Sequence, residues 1–490
     1  MLTGAEVRTM PRIKDTVVAP IPINAIAAPK LATVVARQIE NTVVALGWPV
    51  GEVLGSEAEL LDRFGVSRAV LREAVRIVEH TGAARMRRGP GGGLVVSAPN
   101  RDGITTSMSI WFSYVGVTIS EMFDARLPLM IEAMRSAAER RPMEAIEALR
   151  LRMNEMAEHG DLGVDSFLEL DRGFTALSDN PALMLFADAM SGLLGSRLRG
   201  TRARLEPALT DGDARRHLLG YERLADSLVN GDVDGATRRI QRLLGSVRER
   251  LKDSPARPRR APVRIDAGSA KLAEQVAIAL REDIERAGWP IDTVLGSEPE
   301  LIGRYGVSRA ILREAVRILE HDGAVRTKRG PGGGLVVAAP DSAPIVRAAG
   351  MALEHDKVTP RQLVDARSAL EVAAVRMTAA AITPSESALL RTAVETERQG
   401  GDSAIHLYDV HHRIADATGC RPLALFVRVL SELVRRHIEP EATHGAALPK
   451  IAAQTHQAHQ RIVEAIAAGD EDLAERRMRR HLSAGLEVMQ

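Results

Sequence analysis

Two arginines spaced four apart, Arg68 and Arg72, follow Ser67, and the same trio returns as Ser308, Arg309 and Arg313. On a helix that spacing stacks both guanidinium groups on one face. A guanidinium fork can grip O6 and N7 of guanine together, and each such pair gives roughly 1–3 kcal/mol of discrimination against a wrong base. A serine at the helix start, with the unpaired amides beside it, suits a phosphate oxygen. Further along come Arg85, Arg87, Arg88 and Gly89 in one copy and Arg326, Lys328, Arg329 and Gly330 in the other, each set running into Pro-Gly-Gly-Gly. Cations on a glycine turn can reach phosphates or a minor groove, because glycine lets the backbone come close. The turn is not a nucleotide-phosphate loop, since no Lys-Ser/Thr follows it.

The elements that must hold these cations are readable around them. Leu31 to Leu46 has apolar residues at helical spacing and stops at Gly47. Ser56 with Glu59 forms a capping box for a short second helix that Gly65 ends. Ser67 caps a third helix in which Val70, Leu71, Ala74, Val75 and Val78 make one apolar stripe, leaving Arg68 and Arg72 on another face. Gly82 closes that helix. Two short helices around Gly-Val-Ser are a helix-turn-helix. Ala84 to Arg88 and Leu94 to Ser97, on either side of the glycine turn, predict a hairpin wing.

The whole arrangement occurs twice. Residues 55–99 and 296–340 match at a constant offset of 241, with roughly three-quarters of the positions identical. A period that long makes each copy a complete two-domain unit rather than a solenoid repeat. The chain of 490 residues exceeds what one core serves. Low aromatic content, 3%, favours aliphatic helix packing over an all-β fold. A net charge of +1 supplies no global field, so any nucleic-acid binding must come from local basic surfaces. The single cysteine, Cys420, excludes an internal disulfide and reads as a packing residue in a reducing, cytoplasmic compartment. The expected organisation is a flexible arm (1–29), a first winged head (30–99), a helical domain (104–252), a Pro- and Arg-rich linker (253–268), a second head (269–340) and a second helical domain (345–490).

The stretch SEAELLDRFGVSRAVLREAVRIVEHTG and its second copy resemble the N-terminal domain of GntR-superfamily regulators, the FadR subfamily in particular. The resemblance implies a mainly α chain, with two winged helix-turn-helix domains each followed by an all-helical FCD-type bundle. It also implies that Arg68, Arg72, Arg88 and Gly89, with Arg309, Arg313, Arg329 and Gly330, touch operator DNA. Ala58 and Pro299 stand where the family often has a long polar or basic residue, so that contact is not expected here.

In the second helical half, Arg367-Ser-Ala-Leu-Glu371, His411 to Gly419, His459 to Asp470 and the segment holding His481 resemble the FCD helices. The resemblance implies a divalent, zinc-like metal held by His412, His459 and His481. Asp409 is the nearest carboxylate, because Tyr408 occupies the usual aspartate position one turn before His412. Imidazoles on separate helices with an open position left for a carboxylate are sound coordination chemistry. Arg367 is the expected partner of that carboxylate. In the first half the corresponding positions read as Thr175, Tyr221 and Leu243, with Asp171 retained, so no metal is expected there, and Pro128 interrupts its first helix.

The resulting expectation is a DNA-binding transcription regulator, a repressor like most of the resembling family, responsive to a small organic acid and carrying two heads per chain. Its partners are operator DNA, the effector and itself, as an internal pseudo-dimer or a homodimer. Two other readings compete. A non-specific architectural DNA binder would lose binding steeply with salt yet ignore sequence. A metal-dependent hydrolase on the histidine set lacks a second placed carboxylate to act as base.

Overall fold

In the computed structural model, residues 31–89, 91–199, 211–251, 272–330, 332–399, 408–442 and 448–489 are described; the expected arm 1–29 and linker 253–268 lie outside them. The chain divides into two units, residues 1–100 and 101–490. The first unit is the first head: α1 (Leu31–Ala45), β1 (Val53–Gly55), α2 (Glu57–Phe64), α3 (Arg68–Thr81), β2 (Ala84–Arg87) and β3 (Gly93–Val96). Each expected stop signal is in place. Ser56 and Glu59 close a reciprocal capping box, and Gly65 and Gly82 end α2 and α3 in the left-handed region. The core joins Val35, Ile39 and Val43 of α1 to Leu71, Ala74 and Val78 of α3, with Leu94 and Val96 beneath.

The wing is a three-stranded sheet in the order β1-β3-β2, not a bare hairpin. The sequence reading missed β1, whose three residues are too short to show alternation. Glycine is obligatory where β3 begins. A Cβ on Gly93 would sit 2.5 Å from the Gly55 carbonyl oxygen, and one on Gly92 would sit 2.3 Å from that of Arg87. The second head repeats this design with α11 (Leu272–Arg286), β4 (Val294–Gly296), α12 (Glu298–Tyr305), α13 (Arg309–His321), β5 (Val325–Lys328) and β6 (Gly334–Val337).

The second unit holds the second head and both helical domains. The first helical domain comprises α4 (Arg101–Tyr114), α5 (Ile119–Arg140), α6 (Met143–His159), α7 (Val164–Ala176), α8 (Pro181–Arg199), α9 (Asp211–Val229) and α10 (Val233–Leu251). Its counterpart comprises α14 (Ser342–His355), α15 (Pro360–Ala381), α16 (Pro384–Gln399), α17 (Asp409–Ala417), α18 (Arg421–Ala442), α19 (Leu448–Ala467) and α20 (Glu471–Met489). Pro128 does not interrupt α5. The helix runs through it, because proline removes one amide donor while a Thr118–Glu121 capping box and a buried apolar face hold the rest.

One hydrophobic core runs through both helical domains. Helices α4 and α14 pack together, as do α5 and α15, and α5 meets α18 while α15 meets α8. That reciprocity is what an isologous dimer interface shows, here between two halves of one chain. Phe186 of α8 stacks on Phe426 of α18 at a centroid distance of 4.2 Å, and the two occupy equivalent positions in their helices. Equivalent residues meet each other only on a two-fold axis. Polar joints repeat the symmetry: Asn180 donates to the Gln362 carbonyl at 2.8 Å, while the thiol of Cys420 donates to that of Glu121 at 3.3 Å. The second head is anchored to the first helical domain. Ile110 of α4 belongs to its core, Tyr114 packs on Trp289 at 5.6 Å, and Ser107 donates to Asp322 at 2.5 Å.

Candidate nucleic-acid interface and metal centre

On each head the arginine pair projects from the N-terminal turn of the third helix, away from its buried stripe. Arg68 and Arg72 are exposed, as are Arg309 and Arg313. Ser67 and Ser308 cap these helices through their hydroxyls, accepting from Val70 and Ile311 amides, and both lie on the surface. A glutamate at the start of the preceding helix steadies each pair. Glu57 lies 3.4 and 3.7 Å from the Nε atoms of Arg68 and Arg72, and Glu298 lies 3.6 and 2.7 Å from those of Arg309 and Arg313. Sequence reasoning passed over both acids, although each sits beside the capping serine. On the wings, Arg85 and Arg87 share one strand face by the two-residue period and are exposed with Arg88 and Gly89. Arg87 also donates to the Gly91 carbonyl at 2.9 Å, which fixes it across the turn. In the second wing Arg326, Lys328, Arg329 and Gly330 are likewise exposed, with Arg326 donating to Asp292 at 2.6 Å.

The second helical domain gathers His411, His459 and His481, from α17, α19 and α20. His412 is not among them. Along α17 the buried positions are Val410, His411, Ile414 and Ala415, so His411 lies on the inward stripe and its neighbour is turned about 100° away. Burial and the positive charge of Arg428 hold the His412 imidazole down at about 4, and its Nε2 has no hydrogen-bond partner among the described residues. Asp409 lies on the exposed side of the same helix and does not join the cluster. The stripe was available in the sequence: Val410, Ile414 and Ala415 already place position 411 inside. Of the expected ligands, His459 and His481 lie in this cluster.

The three Nε2 atoms converge, 2.9 Å between His459 and His411, 3.2 Å between His459 and His481, and 3.3 Å between His481 and His411. Two carboxylates behind them set the tautomers of His411 and His459. Glu371 of α15 accepts from Nδ1 of His411, and Glu397 of α16 accepts from Nδ1 of His459 at 2.8 Å. A histidine that donates through Nδ1 presents a bare lone pair at Nε2. Burial, reinforced by neighbouring histidines and Arg367, holds His459 and His481 well below their ordinary range and so favours neutral rings. The bare Nε2 lone pairs of His411 and His459 face each other at 2.9 Å and repel unless a cation lies between them. Metal–nitrogen bonds of about 2.0–2.1 Å place neighbouring ligand atoms roughly 2.9–3.4 Å apart for octahedral to tetrahedral geometry, which is the observed spacing. The residues present therefore fit a divalent ion of the zinc type.

Arg367 is buried next to this cluster and donates through Nε to Glu371 at 2.7 Å. Burial alone would raise Glu371, but Arg367 and His411 outweigh it and hold the carboxyl well below its usual range. Glu397 is pushed up to about 7, burial exceeding the pull of His456 and His411. Glu371 was visible as the residue one turn after Arg367. Glu397 left no signal, because its partner is 62 positions away.

The chain matches the bacterial regulatory proteins of the gntR family at residues 31–94 and 272–335, and the FCD domain at 121–246 and 362–484. Among curated proteins it is similar to the HTH-type transcriptional repressor NanR of Cronobacter sakazakii, 27% identical over 45% of this chain and 85% of that one. The NanR of Salmonella newport is 28% identical over the same shares. Among solved structures, the GntR of Streptococcus agalactiae matches 44% of this chain and all of its own, at 22% identity and a TM-score of 0.34.

Proposed function

The chain belongs to the GntR family of bacterial regulatory proteins, with two GntR heads and two FCD domains in tandem, and from that premise we propose a metabolite-responsive repressor of the FadR type that reads two operator half-sites with one polypeptide. It is a DNA-binding transcription regulator, and the families it matches are regulatory rather than enzymatic. Base reading falls to Arg68 and Arg72 in one half-site and Arg309 and Arg313 in the other, with Ser67 and Ser308 at the phosphates. The wing groups Arg85, Arg87, Arg88, Gly89, Arg326, Lys328, Arg329 and Gly330 take the flanking backbone. The supporting observation is that both copies present the same exposed arginine pair from the same turn. Because the helical domains already face each other within the chain, the protein acts as a single copy with two heads. Tethering raises the effective concentration of the second head once the first is bound.

The effector enters the second helical domain. His411, His459 and His481 would hold the divalent ion, and Glu371 and Glu397 orient the imidazoles. The ion, when bound, would offer its remaining coordination positions to a carboxylate of the effector. Arg367 supplies a cation beside that position, and burial excludes competing water. Coupling of about 1–3 kcal/mol between effector and operator would change occupancy 5- to 150-fold. The test is footprinting with Arg72→Ala and Arg313→Ala combined. Loss of protection at operator sequences, with residual salt-sensitive binding, is the expected result; undiminished protection refutes the assignment of these arginines.

A further inference from the structure

The first helical domain contains the counterpart of the histidine cluster, and its contents differ from those of the second. The turns that enter α8 and α18 fix the register between the halves. Asp179 and Gly419 both have positive φ, 52° and 67°. Ser178 and Thr418 both donate to the carbonyl three residues back, and both accept the amide two residues on. That register, an offset of 240, makes Asp171 the counterpart of His411 and corrects the sequence reading that assigned the role to Thr175. Thr175 instead donates to the Asp171 carbonyl at 2.8 Å, within its own helix. The Gly-Asp turns at Gly231 and Gly469 pair Tyr221 with His459 and Leu243 with His481. Arg126 corresponds to Arg367, at the offset of 241 that governs the heads.

Three imidazoles are thus replaced by a carboxylate, a phenol and an alkyl group, and the replacements complement one another. Arg126, only 2% exposed, donates through Nη2 to one oxygen of Asp171, and the Tyr221 hydroxyl donates to the other. Burial and the adjacent Asp171 push the phenol well above its ordinary value, so it stays a donor. A guanidinium and a hydroxyl converging on two oxygens is how proteins recognise a carboxylate. We infer that Arg126 and Tyr221 form a carboxylate-binding site that Asp171 occupies in cis, closing the first helical domain to any effector acid. Nε and Nη1 of Arg126 are buried with no hydrogen-bond partner among the described residues. That spare donor capacity is what a cradle for a larger anion retains when a short side chain fills it. The assignment rests on the position of the metal centre in the other half, not on that centre being loaded.

Removing the internal ligand should expose the site to a free one. In the full chain, Asp171→Ala leaves Arg126 buried and unpaired, and the melting temperature should fall by about 5–10 °C. Sodium formate, compared with sodium chloride at equal ionic strength, should restore part of that loss and leave the wild type unchanged. The double variant Arg126→Met with Asp171→Leu removes both charges, so it should fold and ignore formate. If Asp171→Ala folds only when grown and lysed in formate, the inference stands. It is overturned if formate has no effect on Asp171→Ala, if formate stabilises the double variant equally, or if Asp171→Ala fails in both salts while the double variant folds. Metal content is measured on the same samples. A wild type without metal would count against the metal reading alone, whereas the formate response bears only on the cis ligand.

Discussion

Arg421 locks the second helical domain to the first, and replacing it with methionine should expose how much of that joint is electrostatic. Its guanidinium donates to both Glu121 oxygens, to one at 2.7 Å through Nε, and to the Val115 and Gly116 carbonyls. Burial would raise the Glu121 carboxyl, but the bonds from Arg421 and Thr118 prevail and bring it from 4.5 down to about 2. Unscreened, that displacement corresponds to roughly 3 kcal/mol. The Glu121 side chain is 13% exposed and Arg421 38%, so solvent reduces the contribution to about 1–2 kcal/mol. Because the folded value is depressed, this contribution is complete above pH 4.5 and is lost as pH falls from there through about 2. The carbonyl bonds do not titrate and add a constant. Denaturant unfolding of wild type and Arg421→Met at pH 6.5 and pH 3 measures the difference. The stability gap should narrow by about 1 kcal/mol at the lower pH. A gap that is unchanged or wider in acid would refute the reasoning.

His411→Ala should remove metal binding, and Glu397→Gln should weaken it about 10–100-fold, while His412→Ala leaves it intact; metal titration of the three variants decides. Retained binding in His411→Ala with loss in His412→Ala would reverse the assignment along α17. Phe426→Ala should cost about 3–5 kcal/mol, because a fully buried ring on the pseudo-axis is removed from Phe186 and Phe112. Calorimetry should then resolve two transitions for the helical domains where the wild type gives one.

The heads were legible because every signal in them is local. Ser56 with Glu59, Ser67, Gly65 and Gly82 each act within a turn of their own position, and the second copy repeats them, except that Asp322 caps the end of α13 and the left-handed glycine, Gly323, follows it. The β1 strand escaped notice because its partner β3 lies about 40 residues on and only that pairing defines it. The helical domains were legible as helices, and the site only in part, through His459 and His481. Choosing His411 over His412 needed the inward stripe of α17, and finding Glu397 needed its packing against α19. Asp171 was seen in the sequence, yet its meaning depended on Arg126 and Tyr221 reaching it from two other helices. The attachment of the second head to α4 of the preceding domain rests on Ser107, Ile110 and Tyr114, whose types carry no hint of that destination.

When two identical subunits meet across an axis, every substitution is made twice and must suit both places at once. Joining the halves in one gene lifts that obligation. Phe186 and Phe426 match as twins, while at equivalent positions Asp171 meets an arginine and a tyrosine and His411 meets a glutamate and two histidines. Under the proposed function, one half could dispense with the histidine cluster while its fold still backs the other, and a single chain would sense asymmetrically while addressing DNA in near-duplicate.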